Sequence, residues 1–150
     1  MVETPARRAR ILLEERFDLP RGGALHLVSY QLPEILVLYV RCSGFGSAGM
    51  LPRLIAHRDR AVRLGRVLLF NDLLDLDGYD PPVRDELTQW QKRNKAQVIA
   101  THILLRSRIV GMGIQMASLA IGQPIVTYSR ATDFDAALRA HVPGWTRTPT

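Results

Sequence analysis

Cysteine and long apolar runs are both scarce in this sequence. The 150-residue chain contains a single cysteine, Cys42, which excludes internal disulfides and a cysteine zinc cluster. No apolar run reaches the roughly 18 residues that a membrane-spanning helix needs. No hydrophobic segment follows the N-terminal arginines to form a signal peptide. We therefore expect a cytosolic protein whose fold is held by hydrophobic burial.

Lysine is also scarce, because eighteen of the twenty basic residues are arginine. The formal net charge is +6 at pH 7, but the excess is spread along the chain instead of being concentrated in one segment. Nucleic-acid-binding surfaces collect their basic residues in patches that neutralise phosphates. The distribution therefore favours a solvated basic surface, with an anionic partner as the alternative.

Apolar strands and amphipathic helices alternate through the first half of the chain. Residues 24–30 and 34–42 are mainly apolar runs of strand length, and the short connection between them predicts an antiparallel pair. Residues 50–64 predict a helix that ends in a left-handed cap at Gly65. The predicted buried stripe of this helix consists of Leu51, Leu54, Ile55, Arg58 and Val62.

The second half of the chain continues the alternation. Residues 66–72 form the continuous apolar run typical of a buried parallel strand, and Asp80 before two prolines predicts the N-cap of a helix. A capping box from Thr132 to Asp135 predicts the start of the last helix. The elements predicted between these are a strand at 97–105, a helix at 107–122 and a strand at 124–129.

The predicted order of elements is β-β-α-β-α-β-α-β-α. Such alternation builds an α/β domain with a mostly parallel sheet, right-handed crossovers and helices packed on the sheet. We expect a basic leader at 1–22, a single domain at 23–142 and a flexible polar tail at 143–150.

A resemblance to a known family rests on the stretch from Gly65 to Leu138. Its features are a Gly-Arg pair before an apolar strand that ends at Asp72, an apolar Arg-Ile-Val helix, a final strand and an acidic Phe-Asp-Ala-Ala helix. This stretch resembles the SpoIIAA-like family, which is related to the STAS domains of anti-sigma-factor antagonists and sulphate transporters. The resemblance implies a STAS-like single domain that acts as a binding or regulatory module.

In the anti-sigma-factor antagonists of that family, a serine at a helix N-terminus after the third strand is phosphorylated. The corresponding segment of this chain reads DLLDLDGYDPP and contains neither serine nor threonine. We therefore expect no phosphoserine switch between Asp72 and Pro82.

A glycine-rich segment follows the second predicted strand. Gly44, Gly46 and Gly49 precede a helix, and Asp72 ends the next strand, which matches the outline of a dinucleotide-binding site. Pro52 stands where the helix of such a site should already have begun, which favours a plain glycine loop. Both interpretations stay open, and the loop with Asp72 is a candidate ligand or partner site.

Acidic residues and histidines offer few further candidates. Asp75 and Asp77 lie in an Asp-x-Asp-Gly segment that resembles a phosphatase nucleophile motif, but the motif does not directly follow the strand. We assign both residues to the same candidate loop. His102 is the one histidine expected near a strand end beside Asp72, and a structural role is favoured. We predict no catalytic residue, cofactor or metal ion.

The predicted helix from 108 to 121 is apolar on almost every side. A surface helix normally keeps a polar face, so this one predicts burial within the domain, contact with another subunit or partner, or contact with a lipid-like ligand. The candidate interface residues are Arg108, Ile109, Met112 and Met116.

These observations favour a non-enzymatic regulatory or scaffolding module that acts through protein contacts and self-associates. The alternative is a small-ligand-binding or enzymatic α/β domain, for a nucleotide or a lipid-like ligand, that uses Gly44 to Gly49 and Asp72.

Overall fold

The structure is a computed structural model that describes residues 9–106, 122 and 125–148. In these ranges the strands are β1 Arg10–Asp18, β2 Ala24–Gln31, β3 Leu36–Gly46, β4 Val67–Leu73, β5 Leu76–Tyr79, β6 Val98–Leu105 and β7 Ile125–Tyr128. The helices are α1 Leu51–Leu64, α2 Pro81–Arg93 and α3 Ala131–Arg139.

One mixed sheet organises the described part of the chain. Its strand order is β1-β2-β3-β4-β6-β7, and β5 pairs with the end of β3. The first three strands are antiparallel, whereas β3, β4, β6 and β7 run parallel. Helical crossovers are the usual connections between parallel neighbours, and α1 and α2 supply them here. The predicted α/β class with a mostly parallel sheet is confirmed.

Alternate residues of the central strands pack against different helices. Leu38 and Val40 of β3 face α1 and α2, where buried Leu54, Ala61 and Trp90 cover them. Val37 and Tyr39 face the other side, which α3 covers with Phe134 and Leu138. Because β4 is buried on both faces, its run Val67–Phe70 is apolar without alternation.

Two strands, β1 and β5, were not predicted from the sequence. β1 lies inside the predicted leader 1–22 and pairs with β2 as an outer strand of the sheet, where its Glu14, Glu15 and Arg16 hide the strand pattern. β5 lies in the predicted acidic loop and includes Asp77 and Gly78, which are poor strand formers. Pairing with β3 overrides that local preference.

Asp80 is the N-cap residue of α2, as predicted, whereas the predicted left-handed cap at Gly65 and the predicted capping box at Thr132 are wrong. Gly65 has φ 164°, an extended conformation instead of the left-handed one. The Asp80 side chain does not cap α2 but accepts a hydrogen bond from the Ala48 amide at 2.7 Å. Arg130, not Thr132, occupies the N-cap of α3, and Asp135 of the predicted capping box instead bonds to Arg147.

Candidate functional site

The carboxyl end of β4 carries the most deeply buried acidic group of the described residues. Asp72 is fully buried, and its Oδ2 accepts hydrogen bonds from the Tyr39 hydroxyl at 2.8 Å and from the Arg147 guanidinium at 2.5 Å. Its Oδ1 accepts a bond from the Leu74 amide at 3.3 Å. Both oxygens of Asp72 are therefore occupied by groups of the same chain.

Arg147 joins this aspartate to α3. Its guanidinium donates from Nε and from a terminal nitrogen to the two oxygens of Asp135, at 3.0 and 2.6 Å. Burial alone lowers the pKa of Arg147, but the hydrogen bonds and charges of Asp135 and Asp72 outweigh burial and raise it. Burial and the charge of Asp72 raise the pKa of Tyr39. We call Tyr39, Asp72, Asp135 and Arg147 the tail cluster.

The tail cluster holds the C-terminal segment on the sheet. Trp145 is 9% exposed and packs edge-on against Tyr39, with ring centroids 5.3 Å apart. Arg41 donates to the Thr148 carbonyl oxygen and to Asp75 Oδ2, both at 2.9 Å. These contacts differ from the flexible tail expected at 143–150.

The structure does not gather the predicted loop residues into one group. The Gly44 amide donates to the Asp75 carbonyl oxygen at 2.9 Å, and Gly44 and Gly46 belong to β3 where it pairs with β5. Asp72 bonds to Tyr39 and Arg147 of the tail cluster and not to the glycines. Asp77 is exposed, and its Oδ1 lies 3.7 Å from a terminal nitrogen of Arg106. Gly49 lies in a short 3-10 helix, Ala48–Met50.

Close chain packing accounts for Gly44 itself. Its φ of 69° is the left-handed conformation, which favours glycine. A Cβ at this position would lie 3.0 Å from Gly23 Cα. The residue that resembled the first glycine of a phosphate loop is therefore required by the contact between two backbone segments.

His102 does not lie beside Asp72. Its ring stacks on Phe70 at 4.5 Å between centroids, and its Nδ1 is 2.7 Å from the Tyr128 hydroxyl. Burial and then the charge of His141 lower its pKa. The structural role that the sequence favoured agrees with this aromatic packing.

The candidate interface residues Arg108, Ile109, Met112 and Met116 lie outside the described residues. Their role stays a prediction.

A cavity that the sequence did not predict lies between the sheet and the helices α1 and α2. Its volume is about 140 Å³, and most of its lining is apolar. Arg58 of α1 lines it although the side chain is only 2% exposed. The polar residues that share the lining include Asn71, Thr101 and Gln91, and Gln91 Nε2 donates to Thr101 Oγ1 at 2.9 Å.

The sequence did contain one signal for this cavity. Arg58 stands on the apolar stripe of α1, where an arginine must be buried or must break the stripe. Cys42 also lines the cavity, and burial raises the pKa of its thiol to about 11, in agreement with an inert buried group.

The described residues form neither a metal-binding cluster nor a membrane-spanning helix. Among the described residues, no three His, Cys, Asp or Glu side chains come together as ligands for a metal ion. No helix within those ranges is long and apolar enough to cross a membrane.

Comparison with known proteins defines the fold class. No family profile and no curated protein sequence matches this chain. Among solved structures, the chain is similar to an uncharacterized protein of the DUF3478 family with a SpoIIAA-like fold, from Shewanella loihica PV-4. The TM-score is 0.55 at 11% identity, over 84% of this chain and 95% of that one. The chain thus has a SpoIIAA-like fold, and the resemblance found in the sequence is confirmed at the level of the fold.

Proposed function

We propose that this chain is a non-enzymatic regulatory module that acts through protein contacts and self-associates. The observation that carries the non-enzymatic part of the proposal is the tail cluster. At the edge of the sheet where α/β proteins usually bind substrates, Asp72, Asp135 and Arg147 satisfy one another. A general acid or base needs a hydrogen bond to a reacting group, and these side chains already hold the C-terminal segment.

The outer strand β1 supports a role in protein contacts. It pairs with β2 on one side, and its Ile11 and Leu12 are 54% and 36% exposed. Open strand edges and exposed apolar side chains are common features of protein-binding surfaces. The apolar segment 108–121 adds a second candidate surface on the grounds of its sequence.

Self-association is tested by light scattering over a concentration series, with circular dichroism to monitor folding. We expect the wild type to form a dimer or larger assembly, and Met112→Glu or Met116→Glu to dissociate it while the helical signal is kept. Leu64→Glu changes a 62% exposed side chain on α1 and serves as the control that should not alter the assembly. A monomeric wild type together with unfolded Met112→Glu and Met116→Glu proteins would refute self-association, because a charge placed in the core unfolds the domain.

The cavity favours a second candidate function, the binding of a small ligand. The sequence placed such a ligand at Gly44 to Gly49 with Asp72, whereas the cavity, which is partly open to solvent, lies between the sheet, α1 and α2.

A further inference from the structure

Arg58 carries a buried charge that no acidic side chain among the described residues neutralises. Within the described ranges its one hydrogen bond, from a terminal nitrogen to Asn71 Oδ1, is long at 3.4 Å, and its Nε has no partner there. The guanidinium lies 5.2 Å from the centroid of the Trp90 ring. Isolated charges are costly to bury, and arginines in protein interiors normally contact a carboxylate.

The rest of the chain offers little to neutralise this charge. The neighbouring Asp59 accepts a hydrogen bond from the Trp90 indole at 2.8 Å and forms no ion pair with Arg58. Residues 107–124 contain neither aspartate nor glutamate, and Glu3 is the one acidic side chain outside the described ranges. Burial lowers the pKa of Arg58 to about 10, so the group is still charged at neutral pH.

The cavity at Arg58 has a polar end and an apolar body. Asn71 on β4, which contacts Arg58, and Thr101 on β6, which contacts Gln91, line it from neighbouring strands. The remaining space is bounded mainly by aliphatic and sulfur-containing side chains, which include Val40, Met50, Leu54, Val83, Leu87 and Ile103. A ligand that fits this space has one anionic group and an apolar remainder.

The volume indicates the size of a ligand that this partly open cavity can surround. The cavity of about 140 Å³ is close to the engineered lysozyme cavity of about 150 Å³ that binds benzene. A nucleotide or a long acyl chain is much larger than benzene. A monocarboxylate with an aromatic ring or a chain of about six carbons matches both the volume and the charge.

We propose that the cavity between α1, α2 and the sheet binds a small apolar monocarboxylate, whose carboxylate accepts hydrogen bonds from Arg58 and whose body fills the apolar end. This binding site does not depend on the proposed protein contacts.

Thermal melting and isothermal titration calorimetry test this site with benzoate and hexanoate as the probes. We expect both anions to raise the melting temperature of the wild type, and benzyl alcohol and hexanol, which lack the charge, to bind at least tenfold more weakly. Phosphate at matched ionic strength and palmitate should give no comparable shift. No binding of either short carboxylate, an equal effect of phosphate, or tighter binding of palmitate would overturn the proposal.

Two variants locate the binding. Arg58→Met removes the buried charge, so it should fold at least as well as the wild type and bind benzoate at least tenfold more weakly. Arg63→Met removes an exposed arginine from the same helix and should bind like the wild type. Val83→Phe keeps Arg58 but fills the cavity, and it should lose both benzoate and benzyl alcohol. Unchanged benzoate affinity in Arg58→Met or in Val83→Phe would place the binding elsewhere and refute the site.

Discussion

Two consecutive basic residues of α1, His57 and Arg58, are both buried to 2% exposure. Neither ring nitrogen of His57 has a hydrogen-bond partner among the described residues. Burial, and then the charges of Arg58 and Arg60, lower the pKa of His57 to about 4. The folded protein therefore holds this imidazole neutral, whereas the unfolded chain protonates it near pH 6.5.

The low pKa of His57 predicts a loss of stability in mild acid. Between pH 6.5 and 4 the unfolded chain binds a proton that the folded protein does not, so the free energy of unfolding falls as the pH decreases through this window. A difference of this size in pKa corresponds to about 3 kcal/mol at full effect. We expect urea denaturation to show a smaller loss between pH 7 and pH 4.5 for His57→Leu than for the wild type.

Other groups also titrate in this window, among them His102, whose pKa burial lowers. The informative quantity is therefore the difference between the wild type and His57→Leu, not either pH profile alone. Parallel profiles for the two proteins would show that His57 is protonated at the same pH in the folded and unfolded states.

For single residues, the sequence predicted the position of a side chain on its element better than it predicted the partner of that side chain. It placed Asp72 at the end of an apolar strand and Arg58 on the apolar stripe of α1, and both side chains are buried. It did not predict that Asp72 pairs with Arg147, because the two residues are 75 positions apart. A contact of that kind depends on tertiary packing and leaves no local pattern in the sequence.

Among the elements, the continuous apolar strands and the first two helices were predictable because their burial imposes a period on the residues. β4 and β6 combine apolar runs with strand length, and α1 shows a helical stripe. β1 and β5 lack such a signal. β1 is a charged outer strand and β5 contains Gly78, so neither has a clear strand pattern in the sequence. β1 depends on pairing with β2, and β5 on pairing with β3.

The turn between β1 and β2 gives a prediction at the level of elements. A Cβ on Gly23 would lie 2.4 Å from the carbonyl oxygen of Phe45, a backbone atom of β3, so Gly23→Ala must displace one of the strands. Gly22 has φ 86°, and a Cβ added to it would have no atom within 4 Å. Gly22→Ala therefore costs only the strain of an alanine in the left-handed backbone conformation, about 1 kcal/mol. We expect Gly23→Ala to lower the free energy of unfolding at least twice as much as Gly22→Ala, measured by urea denaturation.

Gly22→Ala is the matched control, because the two glycines are adjacent and receive the same methyl group. Equal losses for the two variants would show that β3 moves without cost. The close approach of the turn to β3 would then not explain the glycine.

In the whole molecule, the sheet is covered by α1 and α2 on one face and by α3 on the other. The C-terminal segment extends that second layer, since Val142 and Trp145 belong to the same core cluster as Phe134. The tail cluster joins this segment to the sheet through Asp72 and to α3 through Asp135. The sequence suggested a flexible tail at 143–150, whereas Trp145 belongs to a core cluster.

Removal of residues 144–150 should therefore reverse the effect of a substitution at Asp72. In the full chain, Asp72→Asn takes one carboxylate from Arg147 and should destabilise the protein, because the guanidinium keeps only Asp135. In a chain that ends at Pro143, Asp72 is a buried carboxylate without its cation, and such an orphaned charge costs about 3 kcal/mol or more. Asp72→Asn should then raise the stability of the truncated chain, as measured by urea denaturation.

If truncation alone prevents folding, the Arg147→Met substitution takes the place of the truncation in the same comparison. Arg139→Met, which changes an exposed arginine of α3, is the control. An equal loss from Asp72→Asn in the presence and absence of Arg147 would mean that the two charges do not stabilise each other, and that the remaining contacts of Trp145 and of Arg41 with Thr148 hold the C-terminal segment.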